Sequence, residues 1–246
     1  MVEGRYICPV IVDLFIPCYI DQYYPETAHR TVKILERLGV GVNYNVEQTC
    51  CGKPAFEDGY WDACKEVGEK FIREFQNERY IVCPGPGCVN TIRSHYQPLF
   101  FNSSLHNEYK LVQRHVHELS EFLVNVMNAS DIGARYTEKA VYLNSCACEN
   151  ALSPALQLLS KVKGLDVVEV SGGLPCCGMS GGLDRRNEEF AVAMADVVLE
   201  KVRDAGCRLI ISNDYNCLMH LEGVIRRKNL DFRCVHIAEV LSSGWE

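Results

Sequence analysis

Two vicinal cysteine pairs, each followed by glycine, are the residues most suited to chemistry: Cys50-Cys51-Gly52 within EQTCCGKPAF (47–56) and Cys176-Cys177-Gly178 within LPCCGMSGG (174–182). Neighbouring cysteines make poor disulfides, because their Cα atoms lie about 3.8 Å apart while an ordinary bridge wants roughly 4.4 to 6.8 Å. They make better metal ligands: two adjacent thiolates reach different irons of one cluster more easily than they chelate one small ion. The trailing glycines suit such a site, since glycine adopts positive φ and lets backbone N–H groups approach anionic sulfur. A pair of small buried hydrophobes beside a turn explains one such motif well and two in one chain poorly.

The other cysteines supply a ruler. Cys18 precedes and Cys88 follows the first pair, and Cys146 precedes and Cys217 follows the second. Corresponding positions are offset by 128, 126 and 129 residues, so the chain reads as a duplication.

The elements that must position these thiols repeat as well. In the first half VIVDLF (10–15) reads as a buried strand, ETAHRTVKILERLG (26–39) as an amphipathic helix ended by glycine, and GVNYNV (41–46) as a strand before the first CCG. GYWDACKEVGEKFIREFQ (59–76) follows as a helix and RYIVC (79–83) as a strand. The second half runs through AVYLN (140–144), ALSPALQLLSKVK (151–163), DVVEV (166–170), the second CCG, NEEFAVAMADVVLEKVRDAG (187–206) and RLIIS (208–212) in the same order. Residues 108–128 read as one long helix, with polar, turn-like sequence after it. The expected fold is α/β: two tandem pseudo-symmetric strand-helix-strand repeats, 1–130 and 131–246, with mainly parallel sheets and one CCG motif each. In open α/β sheets functional loops gather at the carboxyl ends of the strands. Cys18, Cys50, Cys51 and Cys88 are therefore expected to converge, as are Cys146, Cys176, Cys177 and Cys217.

The 246 residues carry a net charge of −7 and 48% hydrophobic side chains, which suits a packed globular protein and argues against a nucleic-acid binder. No window is apolar enough for a transmembrane segment, and the N-terminal stretch, interrupted by Asp13, reads as a strand rather than a signal peptide. A cytoplasmic address follows as the expectation, where fourteen cysteines point to metal or redox work rather than disulfides. The glycine-rich SGGLPCCGMSGG lacks the spacing and the Lys-Ser/Thr ending of a phosphate loop.

This spacing resembles the CCG-domain cysteine-rich family, which includes the B subunit of heterodisulfide reductase and the iron-sulfur subunit of glycolate oxidase. YYPETAHRTVKILERLG, EQTCCGKPAFEDGY, CPGPGCVNTIRSHYQPLF, CLMHLEG and HIAEVL are most similar to its lactate-utilization members. The resemblance covers essentially the whole chain. It implies iron-sulfur clusters, one or two of the 4Fe-4S type, held by the eight cysteines above. It also implies an oxidoreductase subunit that passes electrons in the oxidation of lactate or a related hydroxy acid. The partners it implies are companion iron-sulfur or flavin subunits and a small-molecule substrate.

The chain departs from the family pattern at the final CxxC, whose first cysteine falls at Gly85 in one half and Asp214 in the other. Four matched thiols per half suit an ordinary cubane better than the open cluster of the heterodisulfide reductase subunit. Cys83 and Cys148 are candidates for a fifth ligand. Leu143 and Ala147 stand near Cys146 where relatives often have histidines, and MSGG follows the second CCG. Two other readings stay open: a zinc-thiolate docking scaffold without redox activity, with zinc in one half or both, and a heterodisulfide-reductase-like thiol/disulfide subunit. Cys8, Cys64, Cys207 and Cys234 are expected in the core. His115 and His117, two apart on the expected helix, face different ways. His220 could hydrogen-bond a sulfur, and Lys53 could offset thiolate charge or face solvent.

Overall fold

The computed structural model describes residues 10–146 and 153–245, so Cys8 and Cys148 lie outside the described residues. Two four-stranded, all-parallel sheets share one strand order. The first comprises β1 (Ile11–Leu14), β2 (Gly41–Tyr44), β3 (Ile81–Cys83) and β4 (Val116–Glu118), arranged β2-β1-β3-β4. The second comprises β5 (Arg135–Tyr142), β6 (Lys163–Val168), β7 (Leu209–Ser212) and β8 (Arg233–His236), arranged β6-β5-β7-β8. Helices α1 (Cys18–Tyr23), α2 (Pro25–Arg37), α3 (Lys53–Glu57), α4 (Trp61–Phe75), α5 (Pro86–Asn90), α6 (Tyr96–Phe100), α7 (His106–His115) and α8 (Leu119–Glu121) connect the first set. In the second half they are α9 (Pro154–Leu159), α10 (Leu183–Arg186), α11 (Glu188–Asp204), α12 (Tyr215–Lys228) and α13 (Ile237–Leu241).

Local sequence explains the elements that frame the cysteines. Proline at the first position opens α2, and Gly39, at φ 73°, ends it, with Thr27, Thr31, Ile34 and Leu35 buried on one stripe. In α4 the buried face is Cys64, Gly68, Phe71, Ile72 and Phe75. Alternation along the strands sorts side chains to two faces. Val12, Leu14, Val82, Ala140, Leu209 and Ile211 enter one core that runs between the sheets, whereas Phe15, Ile81 and Cys83 pack outward under α4 and Val141 and Ile210 under α11.

Each sheet has a fourth strand that the three-strand reading of each half lacks. The segment 108–128, expected as one helix, is instead α7, β4, α8 and a further helical stretch at Phe122–Val126. The physical reason is the open edge of β3: Val116, His117 and Glu118 pair with Ile81, Val82 and Cys83. The helix restarts on the Glu118 side chain, which accepts hydrogen bonds from the Ser120 and Glu121 N–H groups. His115 and His117 thus sit on either side of a helix-strand junction, and both flank the Tyr80 ring. Strand β5 also begins earlier than expected, because polar Arg135–Lys139 pairs with β6 while remaining solvent-facing on one side.

The two halves meet through stacked rings. Tyr215 lies between Tyr24, at a centroid distance of 4.0 Å, and His236, at 4.7 Å and 1° interplanar angle. Its hydroxyl shares a 2.6 Å hydrogen bond with Thr27 Oγ1. His236 Nδ1 accepts the Ala238 N–H, so Nε2 carries the proton and donates to Pro84 O of the first half and Asn213 O of the second, 3.2 and 3.1 Å away. Burial depresses the pKa of this imidazole to about 4, and it stays neutral in the fold. A depressed folded-state value means the unfolded chain binds the proton first, so stability is lost as pH falls from 6.5 towards 4. Across that window His236→Gln should lose less stability than the wild type, the gap closing by about 3 kcal/mol. Urea denaturation at several pH values checks this, and parallel profiles would contradict it.

Candidate functional site

At the carboxyl ends of β1, β2 and β3, four thiols from three segments meet. Cys18 opens α1, Cys50 and Cys51 follow β2, and Cys88 lies in α5 just past β3. The sulfurs run as a chain of contacts: the Cys18 thiol lies 3.8 Å from Cys50 Sγ, Cys50 contacts Cys51, Cys51 contacts Cys88, and Cys88 contacts Cys83. One sulfur takes the negative charge. Cys50 is drawn down to about 3, first by the hydrogen bond from Cys18, then by that from Cys51, and further by the Gly52 N–H at 3.3 Å. Cys18 and Cys51 are pushed above the usual thiol range, chiefly by their bonds to that same sulfur.

The second half builds its counterpart at the ends of β5, β6 and β7. Cys146 contacts Cys176, and Cys177 contacts Cys217 in the first turn of α12. Here Cys177 is lowered, first by the hydrogen bond from Cys217, with help from the Met179 N–H. Cys217 is raised by the same bond, and Cys146 is pushed up to about 12, first by burial and then by Cys176. Both glycines of the CCG motifs take positive φ, 79° at Gly52 and 98° at Gly178.

Each set lines a cavity, about 210 Å³ at the first and about 270 Å³ at the second, and Lys53, Glu57, Met179 and Asn216 belong to both walls. The two sites are therefore neighbours across the seam between the halves. Lys53 is tied to Glu57 at 2.6 Å and is mostly shielded, so it bridges the sites rather than facing solvent. His220 hydrogen-bonds Ala191 O at 3.0 Å and not a sulfur. Cys83, a candidate fifth ligand, is buried in contact with Cys88, whereas Cys64, Cys207 and Cys234 lie in the packed clusters. Sequence reasoning passed over Tyr19, Asn216 and the Ser145–Asp214 pair; only Asp214 carried a signal, as the place of a missing cysteine.

A soft, sulfur-only donor set suits thiophilic metals and sulfide-bridged clusters. The surroundings fit a sulfur-rich group: the Tyr19 hydroxyl is fully buried within reach of Cys88, Asp214, Cys83 and Cys51 and has no hydrogen-bond partner among the described residues. Among those residues, no three His, Cys, Asp or Glu side chains surround one point closely enough to hold a single ion.

Tandem parallel sheets with one thiol cluster each define a cysteine-rich α/β protein, and the chain belongs to the CCG cysteine-rich domain family, whose pattern matches residues 12–93 and again 140–222. Among its relatives, lactate utilization protein A 2 of Bacillus cereus is 34% identical over 237 residues, covering 95% of this chain and 98% of that protein. Lactate utilization protein A 1 of Bacillus anthracis (strain CDC 684 / NRRL 3495) is 32% identical, with the same coverage. Lactate utilization protein A of Bacillus subtilis (strain 168) is 33% identical, covering 94% and 99%. Among the described residues no helix is long and apolar enough to cross a membrane.

The glycine requirement is testable. A Cβ on Gly178 would stand 2.6 Å from Ala191 O, on top of its positive φ, while at Gly173 (φ 69°) it would meet nothing within 4 Å. Gly178→Ala should cost at least 2 to 3 kcal/mol, roughly, and Gly173→Ala about 1 kcal/mol. Chemical denaturation of both variants measures this; equal costs would contradict the close approach of the CCG turn to α11.

Proposed function

We propose that each repeat, 1–130 and 131–246, holds an iron-sulfur cluster of the 4Fe-4S type, and that the chain is an electron-passing oxidoreductase subunit in the oxidation of lactate or a related hydroxy acid. The ligands are Cys18, Cys50, Cys51 and Cys88 in one half and Cys146, Cys176, Cys177 and Cys217 in the other. The observation that carries this reading is the convergence of four sulfurs from three separate segments, twice, around cavities that share a wall. The relatives' name, lactate utilization protein A, supports the substrate class.

The cluster supplies one-electron chemistry, with a potential set by net charge, hydrogen bonds to sulfur and exposure. The chain's part is to fix the sulfurs, aim the Gly52 N–H at Cys50, and keep the Cys51, Cys88, Cys177 and Cys217 side chains away from water. Cys18, Cys50 and Cys176 are partly open and Cys146 is exposed, which gives a donor or acceptor subunit access to both centres. Companion subunits carrying flavin or further iron-sulfur clusters supply and remove the electrons, so the isolated chain is expected to show little turnover.

Anaerobic purification followed by iron and acid-labile sulfide analysis tests the reading. Iron and sulfide in about equal amounts, about four of each per occupied half, with a brown chromophore, is the expected result. Cys50→Ser should remove about half of both if each half is loaded. Stoichiometric zinc without sulfide would establish the docking-scaffold reading instead, and a metal-free protein that cycles between dithiol and disulfide would establish the thiol/disulfide one.

A further inference from the structure

The repeat makes a position-by-position comparison of the two sites possible, and they differ in charge. Where the first half has Gly85 against Pro17, the second has Asp214 against Ser145. A Cβ on Gly85 would come within 2.8 Å of both Pro17 Cγ and the Tyr19 hydroxyl, so a side chain there would have to displace them. Asp214 is 6% exposed and lines the second cavity together with Cys146, Cys176, Cys177 and Cys217. Its Oδ2 accepts from Ser145 Oγ at 2.7 Å, and its Oδ1 accepts from both the backbone N–H and the side-chain amide of Asn216 at 2.9 Å. Among the described residues, three donors face its two oxygens.

The remaining charges do not cancel it. Lys53 and Glu57 line both cavities as an ion pair, and Asp184 and Arg185 at the rim of the first carry opposite signs. Counting the charged side chains that the described residues give each wall, other than the thiols, the first is neutral and the second carries one net negative charge. The first site also has an uncharged donor to offer, the buried Tyr19 hydroxyl.

We propose that Asp214 sets the two sites apart in reduction potential, making the second-half centre the harder to reduce, so that an electron entering the pair settles on the first-half centre. The proposal rests on the cluster reading above. Adding an electron beside a buried carboxylate is opposed by Coulomb repulsion that a low-dielectric wall leaves unscreened, and a hydroxyl donating to sulfur favours the reduced form of the other centre. One electron leaves the second centre and one arrives at the first; no bond forms or breaks and no proton moves. Asp214 acts through the field at the sulfurs and the hold on the Cys146 loop, and is a positioning residue.

The test is a dithionite titration of the anaerobically prepared full chain, followed by electron paramagnetic resonance, for wild type, Asp214→Asn and Ser145→Ala. Asparagine keeps the cap on Asn216 and a hydrogen bond to Ser145, so the fold is expected to survive. Asp214→Asn should favour reduction of one centre about tenfold, 59 mV for a one-electron couple, and move the other, whose Tyr19 lies within reach of the same carboxylate, by less. The signal that moves further should be the one missing from Cys146→Ser. Ser145→Ala strips a donor from the carboxylate but keeps its charge, so it should not raise that potential. Unmoved potentials in Asp214→Asn, an equal or larger shift in the signal that survives Cys146→Ser, or an equal rise in Ser145→Ala would each overturn the proposal while leaving the cluster reading intact. Wild-type protein without iron and sulfide would overturn both.

Discussion

Parallel pairing of one central strand with two neighbours is the constraint from which the sites follow. Strand β1 pairs with β2 on one side and β3 on the other, all pointing the same way, so three chain segments leave the sheet at adjacent points, about 4.8 Å apart per strand. Cys18, the Cys50-Cys51 pair and Cys88 each lie a few residues past one of those exits, and 70 residues of sequence separation collapse into a run of touching sulfurs. The order β6-β5-β7 does the same for Cys146, the Cys176-Cys177 pair and Cys217. The outer strands β4 and β8 give no residue to either thiol cavity, but they end in buried capping residues, Glu118 and His236, that fix the next helix.

The chemistry of the sites grows from crowding thiols where water is scarce. In each half one thiol is shifted towards the thiolate by neighbours that donate to it, Cys50 in the first and Cys177 in the second. Several sulfurs around one cavity cannot all ionise without a cation among them, so metal or cluster loading and the order of these loops are thermodynamically linked. The glycine after each pair makes the arrangement possible. It turns the chain at positive φ, aims an N–H at sulfur in the first half, and in the second fits against α11 where any Cβ would collide.

The repeat, the sheet type and the convergence were legible in the sequence because each has a local cause: apolar runs of strand length, a helix period ended by glycine, and cysteines placed just past the strands. Strand β4 was not, since VHE (116–118) sits inside a polar sequence that suits a helix, and only the open edge of β3 makes it a strand. The start of β5 hid for a similar reason, as RYTEK (135–139) shows no apolar alternation. Residues that act across the seam left little trace. Tyr19, Tyr215 and His236 look like ordinary core aromatics, and their meaning comes from partners in the other half or in another loop. Asp214 was visible as a missing cysteine, but its bond to Ser145 depends on a contact between residues 69 apart.

The central claim is that eight cysteines form two separate inorganic centres that lie side by side. Crystals grown without oxygen, with anomalous difference maps collected at the iron and zinc edges, test it most directly. The account predicts two compact iron peaks, one enclosed by Cys18, Cys50, Cys51 and Cys88 and the other by Cys146, Cys176, Cys177 and Cys217. A peak at only the zinc edge, or a sulfur of either set pointing away from its peak, would contradict it.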